Sequence, residues 1–159
     1  MVVFLDFDGV LHPFNVRFND DLELALECDD KSLHLFCWAP ILEGILEEVD
    51  TERHIKIVLS TTWSHRDGWE KAAKHLTPAL QSRVIGGTTG YNRPRGLQIQ
   101  KYLEEMNIAD QQWLAIDDDD YFWPTHLLDL LIMTDENLGL SEISTQQLLK
   151  LKLKELLLR

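Results

Sequence analysis

The sequence predicts an α/β fold built on a parallel sheet that is covered on both faces. Two observations carry this expectation. Four short apolar runs, Val2–Leu5, His54–Leu59, Trp113–Ile116 and Leu130–Met133, have the length and continuity of strands buried on both sides. Stretches with helical spacing lie between them, and strands alternating with helices imply right-handed crossovers.

Each element can be justified in order. Val2–Leu5 opens the chain as the first strand. The segment from His12 to Leu35 breaks the rhythm with Asp20, Asp21, Asp29 and Asp30 among short apolar pieces, so residues 12–35 read as a flap or small insertion after strand 1. Trp38–Val49 has Pro40 in its first turn and Ile41, Ile45 and Leu46 on one face, which predicts a helix. After the strand His54–Leu59, Asp67–Leu76 spaces Trp69, Ala72, Ala73 and Leu76 as a second helix. Arg83–Ile85, ending in Gly86 and Gly87, is a weaker fifth strand. Gly96–Met106 carries Leu97, Ile99, Tyr102 and Leu103 at helical spacing. Ser141 or Ser144 can cap a last helix through the Leu-rich tail, where a face this apolar is expected to pack on the sheet.

Composition sets outer bounds. At 159 residues, 45% hydrophobic and 26% charged, the chain is sized for one domain over 1–159 and for a substantial core. The charge sum of −12 disfavours an extended nucleic-acid footprint but allows one nucleotide at a local site. No run approaches the roughly 18 apolar residues of a membrane span, and MVVFLDFDGV lacks the basic start of a signal peptide. Cys28 and Cys37 have neither zinc spacing nor the makings of a disulfide framework, so the default location is a reducing cytoplasm. The expected state is a monomer or homodimer with no membrane partner.

Three strands run into chemistry. Phe4-Leu5-Asp6-Phe7-Asp8-Gly9 places carboxylates at i and i+2, on one side of a strand's carboxyl end. There they repel unless a cation or a shared proton intervenes, and ligands of open α/β sheets bind at that end. Ile57-Val58-Leu59-Ser60-Thr61-Thr62 ends in hydroxyls able to hold phosphoryl oxygens or to cap a helix. Trp113-Leu114-Ala115-Ile116 runs into Asp117, Asp118, Asp119 and Asp120. If these strands adjoin, Asp6, Asp8 and this cluster converge, and an oxygen-only set suits Mg²⁺. Ahead of a helix, Arg95 is the first choice for a basic group entering the site, with Arg93 and Lys101 as alternatives.

These residues together resemble the haloacid dehalogenase (HAD) superfamily, in its small capless or minimal-flap form. Asp6-Phe7-Asp8-Gly9-Val10 is similar to its first motif, Ser60 (or Thr61) to its second, Arg95 or Lys101 to its third, and Asp117-Asp118 to its fourth. The resemblance implies a Rossmann-like doubly wound sheet of order 5-4-1-2-3 with the site at the strand tips. It implies that Asp6 attacks phosphorus and that Asp8 acts as acid and base. Ser60 would bind the phosphoryl group and Arg95 would offset its charge. The metal would be Mg²⁺, held by Asp6, the Asp8 main chain, and Asp117 or Asp118. Gly9, Thr61 and Trp63 are candidate substrate contacts, and Trp38, His65 and Arg66 are candidates for the entrance or for packing. Asp8 favours phosphoryl transfer over dehalogenation, because a halide leaving group needs no proton. The implied activity is that of a phosphatase on a phosphorylated substrate. The alternatives are a phosphotransferase, a nucleic-acid-end phosphatase, or a silent relative that binds metal or a partner. A receiver-type signalling domain ranks lower, since no lone Asp ends the second strand. None of the six histidines shows metal spacing, and as single residues they read as structural or surface residues rather than ligands.

Overall fold

The computed structural model describes residues 1–108 and 112–158. Its strands, in chain order, are β1 (Val2–Leu5), β2 (Val16–Phe18), β3 (Leu24–Leu26), β4 (Lys56–Leu59), β5 (Val84–Gly87), β6 (Trp113–Asp117) and β7 (Leu131–Met133). Its α-helices are α1 (Ala39–Val49), α2 (Thr62–Asp67), α3 (Trp69–Ala73), α4 (Pro78–Gln81), α5 (Arg95–Glu105) and α6 (Ile143–Leu157). Five strands form one parallel sheet in the order β5-β4-β1-β6-β7. Counted over those five strands from the β7 edge, this is order 5-4-1-2-3. The fold is therefore a Rossmann-like α/β arrangement with the strand order that the resemblance implies.

Strand β1 shows why the sheet is buried on both faces. All four of its side chains are buried, and alternate ones enter different cores. Val3 and Leu5 join Ile57, Leu59, Leu114 and Ile116 under α1, α3 and α6. Val2 and Phe4 join Val58, Trp113 and Ala115 under α5 and Trp123. Successive side chains of a strand point to opposite faces, so a continuous apolar run is what a sheet between two helical layers requires. Each such buried side chain contributes about 1.5–3 kcal/mol.

Between β1 and α1, β2 and β3 pair as an antiparallel hairpin outside the main sheet, within the segment read as a flap. The Asn19 side-chain oxygen accepts the Asp21 and Glu23 N–H groups and closes its turn.

Several boundaries differ from the sequence reading, each for a local reason. The helix expected over Asp67–Leu76 is shorter, α3 over Trp69–Ala73, and a further helix, α2, ends at Asp67 before it, separated where Gly68 takes φ 86°. Strand β4 begins at Lys56 because the His54 and Ile55 N–H groups donate to the Asp50 carboxylate instead of a ladder. Neither Ser141 nor Ser144 caps α6; Glu142 stands at its start and accepts the Thr145 hydroxyl. The helix buries Leu149, Leu153 and Leu156 while Leu148, Leu151 and Leu158 stay exposed. Both cysteines are free. No helix among the described residues is long and apolar enough to cross a membrane.

Candidate active site

The register of the sheet assembles the site. Leu5 of β1 lies beside Leu59 of β4 and Ile116 of β6. One residue further on, Asp6, Ser60 and Asp117 therefore stand together at three adjacent strand tips. Backbone bonds from Asp6 N–H to the Ile116 carbonyl and from Ser60 N–H to the Leu5 carbonyl, 3.0 and 2.8 Å, fix that alignment.

Arg95, the first residue of α5, crosses the tips from the far side. Its Nη2 lies 3.1 Å from Asp6 Oδ2 and its Nε 3.1 Å from Asp117 Oδ2. A cation in the first turn of a helix opposes the helix dipole, and the two carboxylates outweigh that penalty. Desolvation works against the guanidinium's charge, but Asp6, Asp117 and Asp118 hold its pKa above the ordinary value. Lys101 faces away, toward Glu105 and Thr89, and Arg93 is exposed at the lip of a groove.

One guanidinium does not neutralise the carboxylates around it. Asp6, Asp117 and Asp118 each offer an oxygen, and the three oxygens lie within 4.8 Å of one another. Burial pushes Asp6 up, against the pull of Arg95 and the Phe7 N–H, and Asp8 adds to the rise. Burial and then Asp6 push Asp117 well above the usual carboxylate range. Burial, followed by the charge of Asp6, raises Asp118 to about 7. Crowded carboxylates of this kind, two buried and one half-buried, either share protons or hold a cation.

Gly9 is shaped for the same cluster. It takes φ 69°, and a Cβ there would sit 2.1 Å from Asp118 Oδ2. The Thr134 hydroxyl donates to its carbonyl at 2.8 Å and pins the loop. The three acidic oxygens and the room that Gly9 leaves fit a hard divalent cation, with Asp6, Asp117 and Asp118 as its side-chain ligands.

The hydroxyls divide. Thr61 Oγ1 accepts the Trp63 N–H and caps α2. Ser60 is buried, and its Oγ is an orphan, a buried side-chain polar atom with no partner among the described residues. A buried hydroxyl without a partner costs about 1–3 kcal/mol, so such a group at a strand tip is suited to a ligand.

The structure also brings in a residue the sequence reading set aside. His12, fully buried, bonds Asp8 Oδ1 through Nε2 at 3.0 Å. Its Nδ1 accepts the Phe36 N–H at 3.2 Å, so the proton lies on Nε2 and the ring donates to Asp8. Trp63 Nε1–H donates to both Asp8 oxygens, at 3.0 and 3.1 Å. Trp63 is buried, and it holds Asp8 rather than lining the groove beside Arg95. Trp38 is likewise buried, whereas His65 lines that groove and Arg66 an adjoining one. A signal for His12 was present in its position four residues past Asp8, but a lone histidine in an irregular loop carries no periodicity.

A five-stranded parallel sheet whose first strand ends in Asp-x-Asp, faced by a half-buried arginine and a second acidic pair, defines an α/β domain of HAD type. Residues 2–144 match the family described as the HAD domain in Swiss Army Knife RNA repair proteins, and the chain belongs to that family. Membership points to hydrolase chemistry. No curated protein matches the chain.

Proposed function

We propose that the protein is a Mg²⁺-dependent phosphatase working through an aspartyl-phosphate on Asp6. The observation that carries this reading is the convergence of Asp6, Asp117 and Asp118 with Arg95 bound across two of them. In the first step an Asp6 carboxylate oxygen attacks phosphorus and the bond to the leaving oxygen breaks. Asp8 gives that oxygen a proton. In the second step water attacks the same phosphorus, Asp8 takes its proton, and inorganic phosphate leaves with Asp6 restored. Arg95 and the Ser60 hydroxyl hold the equatorial oxygens, so that positioning and charge do most of the catalysis. Mg²⁺ on Asp6, Asp117 and Asp118, with the Asp8 carbonyl, would neutralise phosphoryl charge and screen the carboxylates from one another.

The family's description names RNA repair proteins, which favours a phosphate at a nucleic-acid end as the substrate class. The test is phosphate release from aryl phosphate, phosphometabolites and end-phosphorylated oligonucleotides, with Mg²⁺ or EDTA, for wild type and Asp6→Asn. Metal-dependent release that is lost in Asp6→Asn supports the reading. Metal-independent release, or full activity in Asp6→Asn, overturns it.

A further inference from the structure

Beside Arg95 a groove of about 540 Å³ opens from the phosphoryl site, a volume within the ordinary range for small-molecule pockets. The loop before α5 and the loop after β6 bound it. The first contributes Tyr91 and Arg93, the second Tyr121 and Phe122, and Arg95 lines it toward Asp6. Three features of this groove have no part in holding the fold together.

The first is aromatic. Tyr91, Tyr121 and Phe122 are each about two-thirds exposed, with relative exposures of 68, 67 and 68%. Tyr121 and Phe122 meet edge to face at 4.2 Å between centroids, and Tyr91 leans on His65 at 5.8 Å. The second is backbone strain. Phe122 takes φ 53°, a left-handed conformation that is an outlier for a bulky side chain. The next residue, Trp123, is buried and tied by its N–H to Asp120 and by its indole to Asp119, so the strain presents Phe122 to solvent. The third is a spare cation. Arg17, Arg53, Arg66, Arg83 and Arg95 each contact a carboxylate. Among the described arginines only Arg93 contacts none, in a chain with 27 acidic residues.

The geometry points to this groove as a subsite for one terminal nucleotide of a phosphorylated nucleic-acid end. The base stacks on Tyr91, Tyr121 and Phe122, and the phosphate linking it to the next nucleotide lies at Arg93. This rests on the phosphatase reading and adds to it which part of the substrate is gripped and by which residues. A sugar phosphate has no planar aromatic ring to stack, and a phosphotyrosine peptide has no second anion at a fixed distance from its ring. A nucleotide end has both. Stacking tolerates any base, so the subsite selects for an end and not for a sequence. The net charge of −12 keeps the footprint short, because of the two arginines lining this groove only Arg93 contacts no carboxylate among the described residues. Asp119 also lines the groove, with its carboxylate accepting the Tyr121 N–H, and confines the anion to the Arg93 side.

The experiment compares kcat and KM for 5′- and 3′-phosphorylated trinucleotides, glycerol phosphate and a phosphotyrosine peptide. The proteins are wild type, Tyr91→Ala, Tyr91→Phe, Phe122→Asn and Arg93→Gln. Wild type should prefer one trinucleotide by more than about tenfold. Tyr91→Ala and Phe122→Asn should each raise its KM about 5- to 100-fold, more than they change kcat, and Tyr91→Phe should retain it. Asn tolerates the left-handed backbone, so Phe122→Asn should melt no lower than wild type. Arg93→Gln should lower the salt slope of trinucleotide KM by about one. Equal preference for glycerol phosphate, preference for the peptide, or an unmoved KM in the aromatic variants overturns the subsite. If wild type hydrolyses nothing, the phosphatase reading is what fails. The subsite is then judged by anisotropy of a labelled 5′-phosphorylated trinucleotide. A 5- to 100-fold weaker affinity in Tyr91→Ala and Phe122→Asn supports it, and unchanged affinity overturns it.

Discussion

Two arginines, one buried and one half-buried, meet buried aspartates on opposite terms. Arg83, just before β5, sits within reach of Asp50 and of the Asp50 and Ile55 carbonyls. Asp50 in turn accepts the His54 and Ile55 N–H groups at 2.9 and 2.8 Å. Desolvation pushes the Asp50 carboxyl up, but these backbone donors and Arg83 overcome it and hold it below the ordinary value. Arg95 faces Asp6 and Asp117 with Asp118 close behind, and all three carboxyls are raised. One centre balances its charges and ties β4 to α1. The other is left with surplus negative charge that the fold does not cancel. Burial alone does not mark a functional carboxylate; an unbalanced count of charges and donors does.

The contrast is broken most sharply by removing one carboxylate from each centre. Asp6→Asn should lower phosphate release by about 10⁴-fold or more, since it removes the nucleophile. It should also raise the melting temperature in EDTA, because it relieves repulsion at Asp117. Asp50→Asn should do the reverse. It leaves buried Arg83 only the half-exposed Glu47, 3.5 Å away, as a counter-charge and should cost about 3 kcal/mol in urea unfolding, while the protein that remains folded keeps its turnover. A destabilised Asp6→Asn or an unaffected Asp50→Asn would show that the two centres are alike.

The part of this contrast that the sequence carries is uneven. The Asp-x-Asp on β1 and the acids ending β6 were legible because a carboxylate that ends a buried strand is costly and therefore informative. The sheet order was legible through the motifs of the resemblance, and adjacency of β1 and β6 then places Asp6 beside Asp117. Arg95 came out ahead of Arg93 and Lys101 only by its place at a helix start. Arg83 and Asp50 were not legible, because their partnership spans 33 residues and neither interrupts a pattern. Helix α2 was not legible, because Thr62-Trp63-Ser64-His65-Arg66-Asp67 carries no apolar spacing, whereas Trp69, Ala72 and Ala73 marked α3.

Divalent metal and pH sharpen the comparison at the next scale. At 100 times its dissociation constant, Mg²⁺ should add about 2.7 kcal/mol of stability. Asp6→Asn should blunt this gain and Asp50→Asn should not. Without metal the two centres should respond to pH in opposite senses. Asp118, raised from the usual carboxylate value to about 7, binds more protons folded than unfolded. Its contribution is full below about 4 and is lost as pH climbs through about 7. Asp50 is lowered, so its contribution is present at neutral pH and is lost as pH falls below the ordinary aspartate range. Urea titrations in EDTA across pH 4–8 should therefore show stability declining toward neutral pH in wild type, and a flatter profile in Asp118→Asn. A wild-type profile that rises over this range would remove the surplus-charge account.

The smallest expected effect separates support from chemistry at Asp8. Asp8 differs from both buried centres in taking its donors from neutral rings, His12 Nε2–H and Trp63 Nε1–H. These bonds fix where the acid and base oxygens lie, so weakening one should slow turnover by about tenfold, some 1.4 kcal/mol, a part of the roughly 10²- to 10⁴-fold that general acid–base catalysis supplies. The two ring nitrogens of His12 can be tested apart. A His12→Asn side chain reaches the Nδ1 position and can accept the Phe36 N–H but no longer reaches Asp8. A His12→Gln side chain extends to the Nε2 position and can still donate to Asp8. If His12 positions Asp8, the Asn variant loses kcat with KM held, and the Gln variant retains most of it. If His12 serves only to satisfy the Phe36 N–H, the order reverses: Asn keeps both stability and kcat, and Gln loses them together. Trp63→Phe, which keeps a ring in the cluster with Phe7 and Phe36 but removes the N–H, should match the Asn variant in kcat.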